Sequence, residues 1–389
     1  MRILHTSDWH IGRTFHGYAM LDATRNVLAE IPKLVLEHKV DVVIAAGDIF
    51  DTANPSGEAY QLLQDTMKAI LTTGAKVIVT SGNHDSPRRL GFAGPFTAPA
   101  GLYLVTDPSA IEESITLEDE YGSVDFYALP FLEPQLVREE AWADPSIKSQ
   151  ADVLRMAMAP IRARATERKK QGSRSVVIAH TFAAGAESAS SDSERPITIG
   201  TLDAVPVNVL SGVDYVALGH IHGAATLADG SIRYSGAPLH YSFKEAGKSR
   251  GGWLVVLEAE GLESVTWVDL PIPRPLIVLT DTFDALLHNQ KYEQYQEHWV
   301  SANYTDKARQ IDPINQLRNR FEWCAEVRHQ PTELIESNES FAKRVKGLSD
   351  EEIFENFLYD VRNGDGQNQA EQDVIAAVIA DRRAQGQTA

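Results

Sequence analysis

The sequence DVVIAAGD, from Asp41 to Asp48, is a continuous apolar run that ends in a glycine and a carboxylate. KVIVTSGNHD, from Lys76 to Asp85, repeats this arrangement. Runs of this kind predict strands that are covered on both faces, as in a parallel sheet. In such α/β folds, ligand sites gather beyond the carboxyl ends of the strands. These two segments therefore predict both a fold class and the place of a site.

Five short segments carry the same kind of chemistry, and each stands where an apolar run ends. They are SDWHIG at 7–12, GDIFD at 47–51, GNHD at 82–85, AHTF at 179–182 and GHIH at 219–222. Together they supply the candidate side chains Asp8, His10, Asp48, Asn83, His84, His180, His220 and His222. This mixed set of oxygen and imidazole groups is large enough for two divalent metals and a catalytic residue.

Hydrolysis of a phosphate diester requires a nucleophile at neutral pH and relief of charge on the phosphoryl oxygens. Two metals about 3.5–4 Å apart supply both, because they activate a bridging water and clamp the phosphate. One carboxylate must bridge the ions, and Asp48, which follows the most apolar strand, is the candidate. Asp8 and His10 are expected to point the same way on a strand or turn, because side chains alternate. His220 and His222 share that spacing.

The remaining candidates differ in the role that their chemistry suits. Asn83 offers a neutral carbonyl oxygen to a metal, whereas the adjacent His84 is expected to lie over the substrate as a general acid or transition-state donor. Imidazole and carboxylate without thiolate suit manganese, iron or zinc better than calcium. We therefore expect two divalent ions, with manganese as the first choice and magnesium as the alternative.

Composition limits the class of protein. The chain has 389 residues, of which 43% are hydrophobic, enough for two or three domains with ordinary cores. Its one cysteine, Cys324, excludes an internal disulfide and a thiolate metal site. The N-terminus lacks a secretory pattern, and no apolar run approaches the ~18 residues that span a membrane. We expect a cytoplasmic protein with no membrane partner.

The acidic balance bears on the choice of substrate. The net charge is −18, which argues against simple electrostatic coating of nucleic acid, because such binding needs clustered Lys and Arg. If DNA is the substrate, the metals, a local basic face or a partner must supply the attraction.

The pattern along the chain predicts three parts. Strand and helix signals alternate over residues 1–270, which predicts an α/β domain. The segment LPIPRPL at 270–276 contains three prolines that stop regular structure, so it predicts a linker. Mixed signals follow, and residues 271–346 are expected to form a smaller α+β domain.

The last part, residues 347–389, is expected to be a helical tail. Ser349 and Glu352 form a capping-box pattern at its start. Its two short amphipathic helices cannot bury both apolar stripes alone, so they dock either on the preceding domain or on a partner protein. Before the tail, DPINQLRNRF at 312–321 predicts one helix that carries Phe321 on its apolar face.

The ordered set D-x-H, GD, GNH, H and GHxH resembles the motif series of the calcineurin-like metallophosphoesterases. Within them, the chain is most similar to the SbcD family of double-strand-break repair nucleases. The segments SDWHIGR, GDIFDTANPS, SGNHDSPRRL, ALGHIH and YSGAPLHYSFKE carry this closer resemblance, which covers residues 1–345. The resemblance implies a metallophosphoesterase β-sandwich flanked by helices, a smaller α+β capping domain and a C-terminal helical tail.

The resemblance also implies roles for individual residues. One metal would be held by Asp8, His10, Asp48 and His222, and the other by Asp48, Asn83, His180 and His220. His84 would be the catalytic histidine that contacts the phosphate.

For the whole chain, the resemblance implies manganese-dependent cleavage of DNA, exonucleolytic and endonucleolytic, at double-strand ends and hairpins. It implies a homodimer that pairs through helices of the nuclease domain. It also implies that residues 271–346 lie near DNA, and that the tail binds an SbcC-type ATPase with a long coiled coil.

Some alternatives remain open on the sequence. Asp51 either orients the site or is a solvated turn carboxylate, and Arg88 and Arg89 either contact DNA phosphate or form a surface pair at a helix start. A phosphatase or cyclic-nucleotide phosphodiesterase could use the same metal core. A non-catalytic adaptor that recruits the ATPase is a third hypothesis, against which stands the absence of any substitution at a ligand position.

Overall fold

The computed structural model describes residues 1–111, 113–187, 189–194, 204–332, 346–362, 364 and 366–386. The chain divides into two units, Met1–Pro273 and Arg274–Ala389. The predicted division into three domains, with boundaries after residues 270 and 346, stays a prediction.

The described residues form strands β1 to β17 and helices α1 to α12. In chain order the strands are β1 (Arg2–Thr6), β2 (Thr14–Phe15), β3 (Tyr18–Ala19), β4 (Val42–Ala46), β5 (Lys76–Thr80), β6 (Leu102–Val105), β7 (Ile115–Asp119), β8 (Gly122–Ala128), β9 (Arg174–His180), β10 (Tyr215–Gly219), β11 (Ala225–Leu227), β12 (Ile232–Tyr234), β13 (Arg250–Glu258), β14 (Gly261–Leu270), β15 (Leu276–Asp281), β16 (Trp299–Tyr304) and β17 (Cys324–His329). The helices are α1 (Leu21–Leu28), α2 (Ile31–His38), α3 (Gly57–Thr72), α4 (Pro87–Leu90), α5 (Gly94–Thr97), α6 (Pro134–Leu136), α7 (Gln150–Lys169), α8 (Val207–Leu210), α9 (Phe283–His288), α10 (Pro313–Arg318), α11 (Asp350–Val361) and α12 (Gln369–Ala384).

The first sheet of the N-terminal unit has the order β14-β13-β1-β4-β5-β6. Its members β1, β4, β5 and β6 run parallel, whereas β13 and β14 are antiparallel to their neighbours. Every residue of β4 is buried, as its unbroken apolar sequence predicts. The carboxyl ends of β1, β4 and β5 therefore lie side by side at one edge.

The second sheet has the order β11-β12-β10-β9-β8-β7, with β8, β9, β10 and β12 parallel. Every residue of β9 is buried, from Arg174 to His180. Because β9 and β10 pair in register through His180 and Gly219, the segments that follow them begin at the same edge of the sheet.

The two sheets pack face to face, and their inner side chains form one apolar core. Ile44 and Ile78 of the first sheet and Phe126 and Ile178 of the second are all fully buried members of that core. Helix α7 covers the outer face of the second sheet, and α3 packs beside β5 of the first. The predicted α/β class, a β-sandwich flanked by helices, is confirmed.

The C-terminal unit has its own parallel sheet, β15-β16-β17, and its own core. Helix α10 ends at Arg318, so the prediction that the helix carries Phe321 is wrong. The chain turns after Leu317, whose carbonyl accepts the backbone N–H of Phe321, and the Phe321 side chain reaches the core from that turn.

Helices α11 and α12 pack against each other near the C-terminus. Each begins with a capping box, Ser349 with Glu352 in α11 and Asn368 with Glu371 in α12. The first of these is the box that the sequence predicts. Across the described parts of the chain, none of the helices combines the length and apolar character that a membrane span requires.

Candidate metal centre

The loops that follow β1, β4 and β10 hold their key residues in left-handed backbone conformations. Asp8, His10 and Asp48 have φ values of 54°, 42° and 50°, and His220 has 107°. A conformation of this kind costs of order 1–3 kcal/mol for a residue other than glycine and is typical of functional sites. Asp8 and His10 bring their ligand atoms together as expected, but strand alternation is not the reason. They lie in a loop, and their backbone conformation directs their side chains.

Backbone hydrogen bonds tie the first two of these loops together. The N–H of Asp8 donates to the carbonyl of Gly47 at 3.0 Å, and the N–H of His10 donates to the carbonyl of Asp48 at 2.9 Å. The residues predicted from two separate motifs are thereby fixed relative to each other before any metal binds.

One group of potential ligands consists of Asp8, His10 and His222, whose ligand atoms all lie within 4.8 Å of one another. The Nε2 atoms of His10 and His222 face each other at 3.0 Å. Their Nδ1 atoms lie beside other groups, Asp51 Oδ1 at 3.2 Å for His10 and Ser193 Oγ at 2.6 Å for His222. Burial is the main cause that lowers the pKa of both imidazoles, and a neutral ring can offer its inner Nε2 lone pair to a cation.

A second group brings Asp8, Asp48 and His180 together, again within 4.8 Å. His180 donates from Nδ1 to the carbonyl of Ala46 at 3.0 Å. Its Nε2 lies 3.0 Å from Asn83 Oδ1 and 3.3 Å from Asp48 Oδ2. Burial opposes a charge on His180, but Asp48 outweighs it and raises the pKa to about 9.

Asp48 lies between these groups of side chains. Its Oδ2 atom is 3.3 Å from His180 and 3.7 Å from Nε2 of His10, and its Oδ1 accepts the backbone N–H of His84 at 2.8 Å. Burial works against its ionisation, yet the charges of His180, His10 and His84 hold its pKa well below the usual range. An ionised carboxylate in this place has the position that a bridging ligand needs.

Asp8 is the second fully buried carboxylate of the centre. Burial is the main cause that raises its pKa to about 8, and repulsion by Asp48 adds to it, while His180 acts in the opposite direction. Its two oxygens accept the backbone N–H of His220 at 3.0 and 3.2 Å. Two adjacent buried acids cannot both ionise without cations, so the donor set fits divalent metal ions.

The structure places His84 in a third group with His10 and Asp48, whose ligand atoms again lie within 4.8 Å of one another, and His220 at the edge of the cluster. The His220 ring packs edge-to-face on His180, with centroids 5.4 Å apart, and burial lowers its pKa to about 3. It is not among the residues whose ligand atoms converge within 4.8 Å in the described part of the chain. His84 donates from Nδ1 to the carbonyl of Asp51 at 2.7 Å, and its buried Nε2 has no hydrogen-bond partner among the residues that the structure describes.

The structure gives contacts for two of the three residues whose roles the sequence left open. Asp51 Oδ1 lies 3.2 Å from His10 Nδ1 and 3.3 Å from Arg13, so it contacts a candidate ligand. Arg88 and Arg89 are both exposed in α4. Arg89 donates to the carbonyl of Ala53 at 2.7 Å, which ties α4 to the loop that follows Asp51.

Close packing around the centre requires glycine at two motif positions. A Cβ atom on Gly47 would lie 2.3 Å from His180 Nδ1, and one on Gly82 would lie 2.2 Å from Asp48 Oδ1. Either contact would displace a candidate ligand. Gly47 also has a φ of 80°, which favours glycine.

Several residues of the centre were not predicted from the sequence. Asp85 accepts the backbone N–H groups of Ile49, Phe50 and Gly82, so it joins the GDIFD and GNHD loops. Its place at the end of GNHD was a signal that could have identified it. Other residues line the far side of His222: Ser191, Ser193, Glu194, Glu245 and Arg250. Glu245 ends the segment YSGAPLHYSFKE, which could have drawn attention to it, whereas the other four have no motif spacing that could have identified them.

Comparison with known proteins identifies relatives of the whole chain. A curated protein of Staphylococcus epidermidis, named as the SbcD subunit of the nuclease SbcCD, is 28% identical over 359 residues, which are 92% of each chain. A protein of the same name from Staphylococcus saprophyticus is 27% identical over 358 residues, again 92% of each chain. Among solved structures, a dimetal phosphatase from Danio rerio has a TM-score of 0.44 and 14% identity, over 70% of this chain and 99% of that one.

Two family models match different parts of the chain. The model described as type 5 capsule protein repressor C-terminal domain matches residues 272–362. The model described as calcineurin-like phosphoesterase matches residues 1–224, which contain the five motifs. Because that match spans 224 of the 389 residues, the chain belongs to the calcineurin-like phosphoesterase family.

Proposed function

We propose that this chain is the nuclease subunit of an SbcCD-type complex and hydrolyses phosphodiester bonds of DNA with two divalent metal ions. The observation that carries the proposal is the place of Asp48, whose Oδ2 atom lies between His180 and His10. The name shared by the two staphylococcal relatives supports a nuclease rather than another phosphoesterase.

Two sets of side chains would hold the ions. Asp8, His10, Asp48 and His222 form one set, and Asp48, Asn83, His180 and His220 form the other. When bound, the ions would activate a water molecule and neutralise charge on the phosphate. Manganese is the first choice and magnesium the alternative, since the donors are carboxylate, amide and imidazole without thiolate.

His84 is the proposed catalytic residue. Its Nδ1 donates a hydrogen bond to the carbonyl of Asp51, which fixes the direction of the ring, while Nε2 has no hydrogen-bond partner within the described parts of the chain. In the imidazolium form, both nitrogens donate, one to Asp51 and the other to a phosphate or leaving-group oxygen. His84 therefore has the geometry of a donor to the transition state.

The proposal extends to partners. Helices α11 and α12 leave Phe354, Phe357, Val374 and Val378 between 45% and 62% exposed, which suits a docking segment for an SbcC-type coiled-coil ATPase. We further propose that residues 271–346 recognise double-stranded DNA ends and hairpins, and that the complex acts in the cytoplasm.

A homodimer is the proposed oligomeric state of the nuclease subunit. Phe92 and Phe96 are 80% and 81% exposed in the segment around α4 and α5. Together with the nearby apolar cavity of about 620 Å³ against α3, they form an apolar surface of the kind that marks protein interfaces.

A comparison of substrates tests the proposed activity. Purified protein with manganese is incubated separately with linear duplex DNA, hairpin DNA and cyclic nucleotides. Cleavage of the DNA substrates is expected, with little turnover of cyclic nucleotides. Strong turnover of cyclic nucleotides alone would favour the phosphodiesterase hypothesis and overturn the nuclease proposal. Metal binding without any hydrolysis would favour the adaptor.

A further inference from the structure

A buried polar network lies behind His222, on the side of the ring that faces away from the candidate metal position. Its centre is Glu245, whose side chain is fully buried. Oε1 of Glu245 accepts from the hydroxyls of Ser191 and Ser193 at 2.6 and 2.8 Å. Ser193 Oγ in turn lies 2.6 Å from Nδ1 of His222. A carboxylate is thus joined to the imidazole through one hydroxyl.

The other oxygen of Glu245 is held from the opposite direction. Oε2 accepts the backbone N–H of Tyr241 at 2.9 Å and a hydrogen bond from Nη2 of Arg250. Arg250 is itself buried and also donates from Nη1 to the carbonyl of His222. Glu245 and Arg250 thus form a buried ion pair, in which each charge offsets the cost of burying the other.

The ionised state of Glu245 decides the direction of the hydrogen bonds. A carboxylate only accepts, so the proton between Oε1 and Ser193 must come from the serine hydroxyl. The oxygens of Ser191, Ser193 and Glu245 make three contacts of 2.6 to 2.8 Å and share two hydroxyl protons, so donation from Ser193 to His222 would leave two of these contacts without a proton instead of one. Ser193 therefore accepts from Nδ1–H of His222, and the Nε2 atom of that ring keeps its lone pair.

We infer that Glu245 is a positioning residue, which acts through Ser193 to keep the proton of His222 on Nδ1 and leave Nε2 free for a metal ion. The inference rests on the metal centre proposed above and identifies residues that control one of its ligands. Carboxylates commonly orient metal-binding histidines in this indirect way, and loss of such a partner lowers metal affinity by about 10- to 100-fold.

The substitution Glu245→Gln should reverse the chain of hydrogen bonds. Tyr241 and Arg250 both require an acceptor, so the amide oxygen of glutamine would take the place of Oε2. The amide nitrogen would then replace Oε1 and donate to Ser193. Because Ser193 would no longer have the carboxylate as an acceptor for its proton, it would donate that proton to Nδ1 of His222, and the ring proton would move to Nε2.

Nuclear magnetic resonance of the metal-free protein, labelled with ¹⁵N at histidine only, reads this change directly. The His222 signals are identified by their loss in a His222→Asn variant. In the wild type we expect a protonated Nδ1 and an unprotonated Nε2, and in Glu245→Gln the reverse. Glu263→Gln, at an exposed position of β14, is the matched control and should leave the tautomer unchanged. An unchanged tautomer in folded Glu245→Gln would overturn the inference.

Two serine variants keep the inference testable if Glu245→Gln does not fold. Ser193 and Ser191 both contact Glu245, but of the two hydroxyls only that of Ser193 contacts His222 in the described structure. Ser193→Ala should let both tautomers of His222 appear, whereas Ser191→Ala should retain the wild-type tautomer. Equal behaviour of the two variants would contradict the relay through Ser193.

Calorimetric titration with Mn²⁺ tests whether the change of tautomer lowers the affinity of the protein for metal. Glu245→Gln should lose about 10- to 100-fold in affinity at one of two sites, with Glu263→Gln unchanged. Failure of the wild type to bind Mn²⁺ would overturn the proposed centre, yet would leave the tautomer result standing. Wild-type binding with equal affinity in Glu245→Gln would overturn the role of Glu245 alone.

Discussion

Asp48 Oδ2 lies 3.3 Å from Nε2 of His180, although Asp48 follows a strand of the first sheet and His180 ends a strand of the second. The centre is therefore built across the two layers of the β-sandwich. Its geometry depends on how the sheets pack, and a metal ion bound there would join them.

Metal ions are expected to stabilise the N-terminal unit. An ion present at about 100 times its dissociation constant adds about 2.7 kcal/mol to the free energy of unfolding. For a unit of this size, that raises the melting temperature by roughly 5–10 °C. Thermal unfolding with chelator and with added Mn²⁺ measures the shift. Asp48→Asn should remove most of it, and an equal shift in that variant would contradict the role of Asp48.

Replacement of His84 by alanine should separate catalysis from metal binding. The His84 side chain is a proposed donor rather than a ligand, so cleavage of duplex DNA should fall at least about 100-fold. Affinity for Mn²⁺ should change little. His288→Ala, at an exposed histidine of the C-terminal unit, is the control. A cleavage rate in His84→Ala equal to that of the control would contradict the assignment.

Gly82→Ala should disturb the centre through steric contact alone. The added methyl group would lie 2.2 Å from Asp48 Oδ1, and overpacking of this kind costs about 1–3 kcal/mol. We expect weaker Mn²⁺ binding and a lower melting temperature. In the control Gly57→Ala, the added methyl group would meet no atom of the described structure within 4 Å, so this variant should behave like the wild type. Wild-type affinity for Mn²⁺ in Gly82→Ala would contradict the prediction that the added methyl group displaces Asp48.

The sequence was most informative about where the centre lies. Asp48, Asn83, His180 and His220 were expected at strand ends, and they lie at or just after the ends of β4, β5, β9 and β10. The sequence allowed this prediction because continuous apolar runs are recognisable as buried strands. The left-handed conformations of Asp8 and His10 were not predictable, since tertiary hydrogen bonds such as that from Asp8 to Gly47 contribute to them. Strand periodicity therefore gave the wrong reason for their shared direction.

The contacts of Ser193 and Glu245 behind His222 could not be predicted from the motifs, for a different reason. Ser193 is 29 positions and Glu245 is 23 positions from His222, and no regular spacing connects them. They meet only because the fold brings the segment before residue 195 and the segment before β13 to the same side of the ring. A serine and a glutamate also have many ordinary uses, so their identity carries no signal alone.

Low pH should lower the free energy of unfolding of the N-terminal unit through Asp119, which lies outside the five motifs. Asp119 pairs with the Met1 ammonium and with Arg174 at 2.6 Å each. Burial opposes its charge, but Arg174 and the N-terminus hold its pKa below the ordinary value. Its contribution to stability is therefore complete above the unfolded pKa of about 4 and is lost as pH falls through the lower folded value.

Asp119→Asn tests this contribution. At pH 7 the variant should be less stable than the wild type by about 1–3 kcal/mol, because Arg174 loses a charged partner. Urea unfolding at a series of pH values should show the difference shrinking as pH falls below about 4. A difference that stays constant down to about pH 2 would contradict the depressed pKa.

The most direct test of the two-metal centre is a crystal structure of the protein soaked with Mn²⁺. We predict two ions about 3.5–4 Å apart, with Asp48 bound to both. His222 should bind one ion and His180 the other, each through Nε2, while His84 should bind neither. A single ion, or two ions that do not share Asp48, would contradict the proposed centre.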